Sequence, residues 1–173
     1  MNPAGKIRET GTEPGRRRTA ARLAAVQALY QIEVTGASPA NTVGEFLRHR
    51  LGTQAEGENF GAADEALFAV LVEGTCARRA ELDQHIASVL TPDWPLERLE
   101  IILRAILRAG AYELLARPDV PTRVAISEYL DIAHAFFAGK EPGLVNGVLD
   151  RLARTLRPEG LRGGAGGSGP APR

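Results

Sequence analysis

Four arginines, Arg16, Arg17, Arg18 and Arg22, gather at the mouth of the first helical stretch, and they are the residues best suited to chemistry. A guanidinium fork matches the oxygens of a phosphate, and it stays charged at any physiological pH. The positive end of a helix dipole favours acids, so cations placed there are mildly unfavourable without an anionic partner. An anionic ligand is one reading, and a solvated helix end is the other. Tyr30 and the pair Phe136 and Phe137 offer faces on which unpaired bases could stack, although each also fits a core position. This chemistry is binding and not bond making. His49, His85 and His134 fall on different helical stretches, and no pair has the spacing of a helical metal site. The single cysteine, Cys76, can form neither an internal disulfide nor a cysteine-based zinc site, and it reads as a small buried hydrophobe. The run Gly163 to Gly167 follows no strand, so it is not a phosphate loop. Ser127, Asp131 and His134 share one helix, whereas a catalytic triad draws its parts from separate elements. Nothing in the sequence asks for an enzyme, a metal or a cofactor.

Composition limits what positions these residues. The chain has 173 residues, 44% hydrophobic and only 5% aromatic, so its core must be built from Leu, Ala, Val and Ile. That favours packed helices in one domain or two small subdomains. The formal net charge is zero, so nucleic-acid binding would depend on where charge lies and not on how much there is. The polar N-terminus has no signal-peptide pattern, and no apolar run reaches the roughly 18 residues of a membrane span. A cytoplasmic location is the default expectation.

Residues 1–15 lack apolar period and read as a disordered arm. A helix then runs to about Thr35, with Leu23, Val26, Tyr30 and Val34 on its buried face, widened by Leu29 and Ile32, and Gly36 as its stop. Arg18 and Arg22 are one turn apart and are expected together on the exposed side. Ser38-Pro39 opens a second helix as cap and first residue, with Val43, Phe46, Leu47 and Leu51 facing inward. Residues 52–61 read as a loop. Asp64 caps a third helix expected to continue to about Val89. Gly74 within it hints at a close helix crossing. The TPDWP segment, Thr91 to Pro95, breaks the chain, with Trp94 as a plug between helical layers. Leu96 to Ala116 is either one helix or a short one followed by a longer one. Pro121 opens a helix carrying Ile126, Tyr129, Leu130, Ala133, Phe136 and Phe137. After Gly139 and Pro142 another helix repeats the period through Leu156. Gly147 inside it costs about 1 kcal/mol relative to Ala, which suggests a neighbouring backbone close by. Residues 158–173 read as a flexible Gly/Pro-rich tail. The expected fold class is all-α, with about seven helices.

Several ordered motifs then narrow the field. Arg18 and Arg22 precede Ala25-Val26-Gln27-Ala28-Leu29-Tyr30. Ile106-Leu107-Arg108 leads into Tyr112-Glu113-Leu114. Asp119-Val120-Pro121 is followed by Val124-Ala125-Ile126 with Glu128, and then by Val145-Asn146-Gly147-Val148-Leu149-Asp150. In this order they resemble the NusB family of bacterial transcription antitermination factors, over residues 16–157. Departures are Ser127 where the family usually has Asn, Leu103 where it often has an acid, and His134 where it has Lys. The resemblance implies two crossed three-helix subdomains, at about 16–90 and 95–157. It implies binding to the boxA element of nascent ribosomal RNA transcripts together with NusE, a small-subunit ribosomal protein, and coupling to RNA polymerase. The RNA-binding residues carried over are Arg16, Arg17, Arg18 and Arg22, with Gln27, Tyr30 and Phe136. NusE is expected on the carboxy-terminal subdomain, where Glu97, Glu100 and Glu113 are candidate contacts. Two alternatives stay open: a NusB-like domain of a ribosomal RNA cytosine methyltransferase system, and a homodimer that buries the RNA face. Monomer and homodimer are both compatible with the sequence.

Overall fold

The computed structural model describes residues 13–51 and 63–162. Those residues form eight α-helices and one 3-10 turn: α1 Glu13–Thr35, α2 Pro39–His49, α3 Glu65–Ala77, α4 Arg79–Val89, the 3-10 turn Leu96–Arg98, α5 Ile101–Ala116, α6 Thr122–Phe136, α7 Glu141–Leu156 and α8 Pro158–Arg162. The expected all-α class holds among the described residues. No described helix is long and apolar enough to cross a membrane.

Local chemistry sets the helix ends. Gly36 takes φ +73° just past α1, a left-handed conformation that glycine adopts without a Cβ clash. Ser38 accepts from the Asn41 amide at 3.1 Å and Asp64 from the Leu67 amide at 3.0 Å, so both caps satisfy otherwise orphaned donors. The stretch expected as one helix from Asp64 to Val89 is two. It breaks at Arg78, which ends α3 and precedes α4, and Arg78 turns its guanidinium onto Glu81 at 2.9 Å. The break lets α4 leave α3 and pack on α5 and α7. Packing therefore assigns α4 to the carboxy-terminal helices, although the expected boundary lay beyond it, near Trp94. Trp94 itself is half-buried against the core. The segment from Leu96 resolves into the 3-10 turn and α5. The expected arm of residues 1–15 gives up Glu13 to Gly15 to α1, and the expected tail begins with α8, packed on α6 and α7. The loop at 52–61 and the remainder of arm and tail lie outside the described residues.

Two helices sit at the centre. α1 packs against α2, α3, α5 and α6, and α5 packs against α1, α3, α4, α6 and α7. Both are enclosed on nearly every side: Ala21 through Val26 are all buried, and so are Ala105 through Leu114. Enclosure explains why polar residues on these helices lie inside the protein. Arg108 donates from Nε to Asp83 at 2.7 Å and from Nη1 to Glu33 at 3.0 Å, and Arg104 reaches Glu33 at 2.6 Å. This network joins the end of α1 to α4 and α5. Arg157, the residue after α7, donates to the carbonyls of Glu113, Leu114 and Arg117 and so closes the C-terminal end of α5.

The glycines sort differently from expectation. A Cβ on Gly74 would lie 2.2 Å from the Tyr112 ring, so the close approach of α3 to α5 is real. A Cβ on Gly147 would meet nothing within 4 Å, which overturns the expected crossing there. The tight contact of α7 with α5 falls at Gly110, where a Cβ would lie 2.9 Å from a Leu149 methyl.

Candidate nucleic-acid interface

Arg16, Arg17 and Arg18 lie before the enclosed stretch of α1, which begins at Ala21, and are exposed there. Among the described residues neither Arg16 nor Arg18 makes an ion pair. Two exposed cations without an ion pair thus stand, with Glu13 in the first turn, at the positive end of a helix 23 residues long.

Arg22 departs from them. It is one turn beyond Arg18, but by that point α1 is enclosed, and Arg22 is only 1% exposed. Its Nε and Nη2 grip the Glu113 carboxylate of α5 at 2.9 and 3.0 Å, and its Nη1 lies 3.8 Å from Glu128 of α6. The exposed position expected for Arg22 is therefore corrected. Burial opposes its charge, but the hydrogen bond and charge of Glu113, with Tyr129 and Glu128 behind them, hold its pKa above the ordinary value. Glu113 is corrected with it: at 0% exposure its carboxylate cannot meet a partner protein. Glu128 also accepts from the Thr19 hydroxyl at 2.9 Å. Burial nevertheless pushes the Glu128 carboxyl up, against the pull of Arg22 and Thr19. The cluster locks α1 to α5 and α6 just behind the exposed arginines.

Farther along α1, Gln27, Tyr30, Gln31 and Val34 follow one another at helical spacing and form one stripe. With Phe136 from the end of α6, Arg50 from the end of α2, and Glu100, Ile101 and Ile102 from the start of α5, they line a groove of about 740 Å³. All three non-arginine RNA candidates, Gln27, Tyr30 and Phe136, thus meet in one place. Tyr30 is 43% exposed and Val34 is 55% exposed, although the sequence pattern put both on the buried face of α1. Their exposure leaves an aromatic and an aliphatic wall open to a ligand. Arg50 was not expected here. Its guanidinium lies 4.5 Å from the centre of the Phe46 ring, a cation–π contact that fixes it at the groove edge. Gln31 donates to Glu45 at 3.4 Å. Among the described residues Arg50 and Glu100 make no ion pair.

The two parts of the surface are aligned. Arg16 lies three helical turns before Gln27, hence on the same side of α1 and about 16 Å away along its axis. α6 runs beside α1 in the same direction, touching it through Glu128 and Thr19 at one end and sharing the groove through Phe136 at the other. The expected partner contacts separate: Glu100 faces this groove, whereas Glu97 lines a second cleft of about 770 Å³ with Arg79, Asp83, Arg104 and Arg108. Gln31 was detectable in the sequence as the residue one turn beyond Gln27. Arg50 and Glu100 reach the groove only through tertiary packing.

A sequence profile of the NusB family matches residues 19–154. The chain is 46% identical over 158 residues to a transcription antitermination protein NusB of Agrobacterium fabrum, covering 91% of this chain and 96% of that one. It is 52% identical over 140 residues to the NusB protein of Caulobacter vibrioides, covering 81% and 94%. Among solved structures, T. maritima NusB superposes with TM-score 0.68 at 27% identity, covering 88% of this chain and 99% of that one. A crystal structure of antitermination factors NusB and NusE in complex with double-stranded RNA matches with TM-score 0.66 at 25% identity, covering 81% and 98%.

Proposed function

The chain belongs to the NusB family, and from that premise we propose that it is a transcription antitermination factor that binds boxA-type single-stranded RNA in nascent ribosomal RNA transcripts, together with NusE, and couples that RNA to RNA polymerase. The observation that carries the RNA surface is the meeting of Gln27, Tyr30 and Phe136 in one groove, on the same side of α1 as the exposed Arg16. Arginines at the start of α1 hold phosphates and set the path of the strand. The groove takes bases that are unpaired and turned outward, with Tyr30 and Phe136 as stacking faces and the Gln27 amide as both donor and acceptor. Arg22 acts indirectly: through Glu113 and Glu128 it fixes the angle at which α1 presents Arg16 and Arg18. The protein is an adaptor and not an enzyme. Because it acts on nascent transcripts, its place is the cytoplasm.

The test is a titration of the full chain with fluorescent boxA-like RNA and a scrambled control, with and without NusE. The reading requires preference for the boxA-like strand and tighter binding when NusE is present. Equal binding of the two strands in both conditions would refute it.

A further inference from the structure

Glu100, expected among the NusE contacts, stands in the groove and has no part in the RNA reading above. A carboxylate beside a bound strand repels phosphate, so it does not hold the RNA backbone. It precedes α5, is exposed, and among the described residues pairs with no cation. It shares the groove with Tyr30, Val34, Ile101, Ile102 and Phe136, the surfaces on which a base would rest. Arg50 lines the same groove and offers a phosphate the opposite charge, held in place by its contact with the Phe46 ring. Among the described residues that line it, this groove therefore has apolar and aromatic walls, a cation fixed by its ring contact and a carboxylate paired with no cation.

An ionised carboxylate only accepts hydrogen bonds. The four bases differ sharply in what they offer it. Guanine presents two adjacent parallel donors, its N1–H and its N2 amino group, which match the two carboxylate oxygens. Adenine and cytosine each present one amino group next to a ring acceptor. Uracil presents one N–H flanked by two carbonyl oxygens that the carboxylate repels. We propose that Glu100 is a specificity-determining residue, selecting an unpaired guanine in the groove while Arg50 holds an adjoining phosphate. The inference rests on the RNA-binding reading above and adds to it the base that is read and the group that reads it. It also moves Glu100 from the expected NusE contacts to the RNA surface.

The probes are short single-stranded oligouridines with one central guanosine, the same strands with inosine at that position, and all-uridine strands. Each is titrated against the full chain and against its Glu100→Gln variant, with circular dichroism confirming that both are folded. A well-formed bidentate contact discriminates between bases by at least about fivefold. The wild type should therefore bind the guanosine strand at least about fivefold more tightly than the all-uridine strand. Inosine, which lacks the N2 amino group, should give up part of that preference. In Glu100→Gln the ratio should collapse toward one, because the amide puts a donor opposite a donor. A guanosine preference that survives in the variant overturns the proposal, and so does a wild type that binds all the strands equally. Loss of NusE binding in the variant with the base ratio intact would assign Glu100 to the protein partner. A wild type that binds none of the strands would bring down the RNA reading itself.

Discussion

Arg18 and Arg22 have the same side chain and lie one turn apart on α1, yet the structure requires opposite outcomes when each is removed. Arg22→Ala leaves Glu113 buried at 0% exposure without the guanidinium that meets it at 2.9 and 3.0 Å. Breaking one side of a buried ion pair costs about 3–5 kcal/mol, mostly through the charge left behind. For a folded body of this size that is a fall in melting temperature of about 6–20 °C. Arg18→Ala removes an exposed cation and should change stability by less than about 0.5 kcal/mol. The assay is thermal unfolding of the full chain followed by circular dichroism. A double variant, Arg22→Met with Glu113→Leu, should recover most of the loss, because it removes both charges together. If Arg22→Ala melts with the wild type and loses RNA affinity as Arg18→Ala does, then Arg22 belongs to the RNA surface and the buried pair is not what holds α1.

Other consequences concern packing and pH. Gly147→Ala should stabilise the protein by about 1 kcal/mol in urea unfolding, since α7 has open space there; destabilisation would restore a close crossing. Gly74→Ala should cost about 1–3 kcal/mol, because the new methyl meets the Tyr112 ring; a neutral result would mean that the ring moves freely. Burial raises the Glu128 carboxyl, so its charge penalises the folded state above that raised value and the penalty fades as pH falls through it. Glu128→Gln should therefore raise the melting temperature at neutral pH, with a gain that shrinks in acid. Glu33 has the opposite sign: burial pushes its carboxyl up, but the hydrogen bond from Arg104 and the charges of Arg108, Arg104 and Arg79 outweigh it and lower the pKa. Its stabilisation is present above the ordinary glutamate value and is lost as pH falls through the lowered one. Glu33→Gln should thus lower the melting temperature at neutral pH, with a deficit that narrows in acid. Parallel pH curves for either variant and the wild type would contradict its assignment.

The sequence announced what depends on near neighbours. Ser38, Asp64 and Gly36 act within a few residues of themselves, and each ends or begins a helix as expected. The family resemblance named Gln27, Tyr30 and Phe136 as candidates, and the fold brings them to one groove although Phe136 is more than 100 residues from the other two. What stayed hidden depends on distant partners. Arg22 is 91 residues from Glu113, so nothing local distinguishes it from the solvated Arg18. Helical periodicity assumes one wet face, and α1 and α5 have almost none over much of their length. Arg22 and Glu113, on those enclosed stretches, therefore looked like surface and are interior. Tyr30 and Val34 mislead in the opposite direction, because the buried stretch of α1 ends before it reaches them. The break at Arg78 was hidden by apolar residues that continue through it, while the chain changes direction to put α4 on α5 and α7.

In the proposed mechanism arginines at the start of α1 hold phosphates while the groove reads bases, and a salt series on RNA binding separates the two roles. Each phosphate contact to single-stranded RNA contributes about 0.7 to the slope of log K against log salt, so Arg16, Arg17 and Arg18 together account for roughly −2. The Arg16→Ala, Arg18→Ala double variant should have a slope shallower by about 1.4, with equal losses for boxA-like and scrambled strands. Tyr30→Ala and Phe136→Ala, folded by circular dichroism, should leave the slope near the wild-type value and narrow the gap between the two strands. An unchanged slope in the double arginine variant would contradict the account and move the RNA off this helix.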